Sequence, residues 1–242
     1  MAIIRDHIPY YLDVFNIAGF LKDPVLIFGF QDCLFGRKRS IRSKIERRIK
    51  RRAKYWMEMR MRKRRGAIKP RFVDAIPKEF QQENLNGILR NLGLSDIRTM
   101  DYFDKRADIV HDMNLPIDES LKGVFSTVID IGSLEHVFDT KQCLWNLFRL
   151  LKVNGHLLLH TPCNGYFNHG FHTFSPECVI HAVKMNGFEV KYLKYSTPDG
   201  FELERPDIVS NAILWIAAEK KEGKESFVIP QQGCWRDIYK TG

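Results

Sequence analysis

Apolar positions along the chain alternate between two periods. Residues 8–21 (IPYYLDVFNIAGFL) carry a three-to-four-residue apolar spacing that predicts an amphipathic helix. Pro24 to Gly29 is a short apolar run opened by Pro and closed by Gly, which predicts a buried strand. Further on, 79–92 predicts a helix stopping at Gly93. Residues 97–101 and 107–112 predict two strands, each closing on an aspartate, and 125–131 predicts another buried strand. Residues 139–152 predict a helix with Asp139 at its start and Asn154-Gly155 at its stop. A strand over 156–161, a loop over 162–174 and a helix over 175–186, opened by Ser175-Pro176-Glu177, come next. Strands over 188–195 and 208–217 complete the series.

Strands alternating with helices predict a Rossmann-like α/β fold, a doubly wound and mostly parallel sheet covered on both faces. Ligands of such sheets sit beyond the carboxyl ends of the strands, near the point where strand order reverses. Function is therefore expected at Gly29–Asp32, Asp101, Asp112, Asp130–His136 and 161–174.

At 242 residues, 44% of them hydrophobic, the chain is long and apolar enough for one domain with a substantial core, spanning 1–242. No apolar run reaches the length of a membrane span, and Arg5, Asp6, Pro9 and Asp13 interrupt the N-terminus as a secretory signal. The five cysteines are widely spaced with no CxxC pair, which fits a reduced, cytoplasmic protein.

Charge is concentrated. Residues 37–65 hold sixteen basic residues against Glu46 and Glu58, so this segment carries +14 while the whole chain carries +9. Within it Ile41, Ile45, Ile49, Ala53 and Trp56 recur at helical spacing, which makes 37–66 a basic amphipathic insertion after the first strand. Three uses remain open: packing on the chain's own body, lying on an anionic membrane surface at its inner face, or gripping the phosphates of a nucleic acid.

The stretch Thr127-Val-Ile-Asp-Ile-Gly-Ser-Leu-Glu-His-Val-Phe-Asp139, with Lys152-Val-Asn-Gly155 beyond it, resembles the fourth-motif region of class I S-adenosylmethionine-dependent methyltransferases. His172-Thr-Phe-Ser-Pro-Glu177 through Asn186-Gly-Phe-Glu-Val190 resembles a downstream segment of the same family. A narrower likeness is to bacterial methyltransferase-domain proteins that modify cell-surface saccharides. It rests on Leu26-Ile-Phe-Gly-Phe-Gln-Asp32, Asn168-His-Gly-Phe-His-Thr-Phe-Ser-Pro176 and Pro230-Gln-Gln232. The resemblance covers about residues 20–220 without the insertion. It implies the class I methyltransferase fold, S-adenosylmethionine as cofactor, and O-methylation of a saccharide or glycolipid precursor in polysaccharide biosynthesis. The first motif departs from the family's glycine-rich loop: Gly29 is its only glycine, with Phe30 and Cys33 at positions where small residues are usual.

Carried onto this chain, the resemblance assigns Gly29, Phe30, Gln31, Asp32, Asp130 and Gly132 to the cofactor cradle. Asp101 is assigned to the ribose hydroxyls and Asp112 to the adenine amino group, with Met113 or Asn114 beside it. His136, next to Glu135, is the candidate general base, with a structural role as the alternative. Asn164, Tyr166, His169 and His172 lie in a loop of amides and aromatic rings suited to a sugar. His160, His169 and His172 raise the question of a metal, but no spaced carboxylate accompanies them, so none is expected. A catalytically degenerate binding protein and a nucleic-acid methyltransferase using the basic segment are the alternatives.

The uses of residues 37–65 separate experimentally. A membrane role gives binding to anionic but not neutral vesicles in a sedimentation assay, lost in Ile45→Asp/Ile49→Asp. A nucleic-acid role gives a steep salt dependence that vanishes when the segment is deleted.

Overall fold

A computed structural model describes residues 3–34, 68, 69, 71 and 73–231. The basic insertion over 37–66 lies outside the described residues apart from its surroundings, as does Gln232. Nine described strands form one sheet: β1 Val25–Phe28, β2 Ile68–Lys69, β3 Ile97–Asp101, β4 Ile109–Val110, β5 Phe125–Ile131, β6 Leu151–Asn164, β7 Phe188–Ser196, β8 Glu202–Leu203 and β9 Ala212–Lys220. Their order is β2-β8-β7-β9-β6-β5-β1-β3-β4. The run β4-β3-β1-β5-β6 is parallel throughout, in the reversing order of doubly wound sheets. β9 inserts antiparallel between β6 and β7. This is the expected doubly wound, mostly parallel α/β sheet, with its switch point between β1 and β5.

Side chains alternate across the sheet. Leu26 and Phe28 of β1 and Leu214, Ile216 and Ala218 of β9 face one core, which is shared with helices α3 (Thr140–Leu150) and α4 (Pro176–Met185). Val25, Ile27, Ile213, Trp215 and Ala217 face the other, shared with α1 (Ile8–Phe15) and α2 (Leu85–Asn91). Both faces are buried, which is why these strands read as continuous apolar runs.

Several boundaries differ from the sequence pattern. The first helix stops at Phe15, because Thr127 Oγ1 on β5 bonds the backbone at Phe20 and Lys22 and draws the following chain onto the sheet. The helix expected over 79–92 divides into a 3-10 turn, Lys78–Phe80, and α2, whose cap Asn84 accepts from Gly87 N. Strand 107–112 contracts to Ile109–Val110, and 208–217 begins only at Ala212. The third helix ends at Leu150, where Lys220 Nζ donates to Phe148 O and Leu151 O. A buried cation at a helix C-terminus satisfies carbonyls left free there. β6 runs on to Asn164, since β9 supplies a partner for Thr161, Pro162 and Asn164 that a parallel neighbour alone would not.

His160, on β6, is fully buried in the second core, 4.1 Å between ring centroids from Trp215 and 5.3 Å from His7. Tyr10 and Tyr11 complete this nest against Trp215. His7 Nε2 lies 3.1 Å from Pro198 O, and neither nitrogen of His160 has a hydrogen-bond partner. Burial pulls the His7 pKa down to about 4, and that of His160 well below the ordinary histidine value.

With folded pKa values below the unfolded one, the unfolded chain takes up protons first as pH falls. Stability is therefore level above about pH 6.5 and declines as pH drops toward 4. We expect a loss on the order of 2 kcal/mol from His7 alone between pH 7 and 5, read as a lower urea midpoint. His160→Phe should remove its own share of the dependence and leave that of His7 in place.

Candidate functional site

The site is built where β1 and β5 end side by side. Asp130, on β5, is wholly buried, and its carboxylate accepts from Ser133 N at 2.8 Å and Leu134 N at 3.2 Å. Burial, with the nearby Glu135 charge, raises its pKa to about 8. Asp130, expected in the cofactor cradle, is buried and bonded within the turn containing Gly132, which has a φ of 72°. Ser133 Oγ donates to Phe28 O at 3.0 Å, tying this turn to the end of β1.

Gly29 follows at φ 77°, and a Cβ there would lie 2.2 Å from Ser133 Oγ. Its glycine is required by the approach of the neighbouring turn. Gln31 is buried, and its Oε1 has no hydrogen-bond partner. Asp101, closing β3, accepts Phe30 N at 3.1 Å through Oδ2, and Phe103 N and Asp104 N through Oδ1. Asp112, just beyond β4, accepts from the Asn114 backbone and side chain, which hold its pKa below the usual carboxylate value. Fully buried Asn146 anchors this segment from α3, bonding Met113 O, Leu115 O and Ile117 N.

A residue the sequence reading missed closes over this edge. Arg106 stands 3.8 Å above the Phe30 ring and pairs with Asp32 and Asp104. Asp32 is thereby engaged by an arginine. Nothing in sequence marks an exposed loop arginine for this place, because the pairing spans 74 residues.

On the other side of the switch point, the structure gathers Glu135, His136 and His169. Each offers a donor atom, and the three atoms lie within 4.8 Å of one another. Glu135 is completely buried. Its Oε2 accepts from Thr161 Oγ1 at 3.1 Å, while Oε1 has no hydrogen-bond partner and stands 3.8 Å from His169 Nε2. His136 and His169 are exposed, with ring centroids 5.1 Å apart. Burial raises the Glu135 pKa to about 7 and lowers those of both histidines.

The loop carrying His169 is held in an unusual path. Tyr166 and Asn168 both take the left-handed conformation, at φ 56° and 60°, uncommon for residues with a side chain. Glu135 O accepts from Phe171 N and His172 N, and a Cβ on Gly170 would lie 2.8 Å from that same oxygen. These contacts press the loop onto the Glu135 turn. Tyr166 packs beside His169 at 5.4 Å. The remaining expected substrate residues do other things: His172 Nε2 lies 3.1 Å from Phe138 O, and Asn164 Nδ2 donates to Pro206 O and Val209 O. Around the cluster Phe138, Phe167 and Phe171 are exposed.

No protein-family description matches the chain, and no curated protein does. Solved structures do. A phosphoethanolamine N-methyltransferase from Haemonchus contortus, in complex with phosphomonomethylethanolamine and S-adenosylhomocysteine, is similar over 56% of this chain and 46% of its own, at 12% identity and TM-score 0.41. A methyltransferase dependent on S-adenosylmethionine from Mesorhizobium loti is similar over 51% and 79%, at 14% identity and TM-score 0.37. One from Thermotoga maritima is similar over 51% and 72%, at 17% identity and TM-score 0.37. These likenesses are too loose to give this chain a family or an activity.

The contact of Gly29 with Ser133 is testable by a double-mutant cycle. Gly29→Ala should cost on the order of 2 kcal/mol in chemical denaturation. In the Ser133→Ala background the cost should be smaller, because the oxygen in the way is gone.

Proposed function

We propose that this chain is an S-adenosylmethionine-dependent methyltransferase acting on a hydroxyl of a saccharide-class acceptor. The observation that carries the reading is the convergence of two groups of side chains at the switch point. Asp101, Asp112 and the Gly29–Gln31 loop stand on one side, and Glu135, His136 and His169 on the other. The residues present fit the cofactor: two carboxylates end successive strands, and the unpartnered Gln31 Oε1 is a buried acceptor awaiting a donor. Asp101 would receive the ribose hydroxyls, Asp112 the adenine amino group, and Gly29–Gln31 the methionyl end. Bound there, S-adenosylmethionine supplies a methyl group on a sulfonium, already a good leaving group.

The chain's own part is then positioning and management of the acceptor's proton. Exposed Phe138, Phe167 and Phe171 offer apolar rings to the carbon face of a sugar. The cluster of Glu135, His136 and His169 addresses its hydroxyl. The surface on which such an acceptor would be held, lipid-linked or free, is a matter for the basic segment outside the described residues.

A second reading draws on Arg106, which with Phe30 and Asp32 straps the cradle shut. It makes the chain a binding protein of methyltransferase fold without turnover. Calorimetry separates the two. Micromolar binding of S-adenosylmethionine, weakened about tenfold or more in Asp101→Asn, supports the first. No binding to the wild-type chain overturns it and favours the second. With an accepted acceptor in hand, His136→Ala should lower turnover by roughly a hundredfold.

A further inference from the structure

We propose that Glu135, His136 and His169 form a binding site for a divalent first-row transition cation, open on one side toward the acceptor. The inference rests on the methyl-transfer reading only for the use made of the ion; the site itself stands on its geometry. Two imidazoles and one carboxylate are a donor set suited to zinc, iron, cobalt or manganese and poorly matched to magnesium or calcium, which prefer oxygen throughout.

Four observations support it. The three donor atoms already lie within 4.8 Å of one another. A tetrahedral ion with bonds of about 2.1 Å needs donors roughly 3.4 Å apart, which small rotations of two exposed imidazoles can supply. Glu135 Oε1 is buried, lacks a hydrogen-bond partner and stands 3.8 Å from His169 Nε2. A carboxylate oxygen left so within a protein is a costly arrangement that a bound cation relieves. Its sister oxygen accepts from Thr161 Oγ1, the outer-shell hydrogen bond that fixes a ligating carboxylate. Finally, the left-handed residues Tyr166 and Asn168, with the bonds from Phe171 N and His172 N to Glu135 O, aim His169 at the glutamate across 34 residues of sequence.

Only one wall of the cluster is protein-buried, since His136 and His169 are both exposed. Three protein ligands with open positions are the pattern of catalytic rather than structural sites. A coordinated acceptor hydroxyl would be more acidic than a free one. Its proton would pass to solvent water at the open side of the cluster as the oxygen takes the methyl group, with no separate strong base.

The test uses the full untagged chain and cobalt(II) as the probe. Titration followed by visible absorption should show one equivalent bound, with affinity reduced about tenfold or more in His136→Ala and in His169→Ala. Both positions are exposed, and unchanged far-UV circular dichroism shows that the variants are folded. Glu135→Gln should weaken binding similarly. Saturation at no more than one equivalent with this loss pattern supports the site. Absence of binding to the wild type, or binding indifferent to both histidine variants, overturns it. Calorimetry with S-adenosylmethionine is run in parallel. Cobalt bound without the cofactor supports the cation site while overturning the methyl-transfer reading, and the reverse result overturns the site alone.

Discussion

The buried carboxylate of Asp130 is the interaction on which the centre of this molecule depends. It satisfies two backbone amides at the end of β5 and so fixes a turn of three residues. That turn sends Ser133 against Gly29 and Glu135 into the interior. Two strand ends, the first loop and the acidic member of the cluster are thus set by one side chain. Protonation there is favoured by burial, yet a neutral carboxyl still accepts from amides, so the turn does not require the charge.

Rigid strands and tightly bonded turns carry one half of the site, and a loop of left-handed residues carries the other. The loop's strain is balanced by backbone bonds to Glu135, so the pieces depend on each other. Opposite them, the Arg106 bridge is exposed and held by charges in water, an arrangement that yields easily to a competing ligand. The cradle side is therefore the more adaptable one.

Much of the fold was legible in the chain. Short runs rich in apolar and β-branched residues, closing on or beside aspartate or glycine, located β1, β3 and β5, because most of their positions are buried in the sheet. Ser175-Pro176 located the start of α4 for the local reason that Pro fits a first helical turn. The extension of β6 through Pro162 was not legible, since Pro reads as a break until an antiparallel neighbour is present. At the site, Glu135 and His136 stood out as adjacent residues after a strand. His169 was placed in a sugar-binding loop, and its approach to Glu135 was hidden because hydrogen bonds far apart in sequence create it. Asn164 looked available for substrate but closes a backbone corner instead. Asp130 stood out at a strand end, but its bonds to the amides of Ser133 and Leu134 could not be read from the chain.

The described margins of the sheet are short. β4 at one side is two residues long, with Val110 exposed, and β2 at the other is two residues long and carries Lys69. A long bare margin invites a foreign strand to zip onto it and grow into fibres. Here a visiting strand would find two residues of ladder at β4, or at β2 a lysine that must be stripped of water. Among the described residues, adding strand to strand is therefore discouraged on both flanks of the sheet.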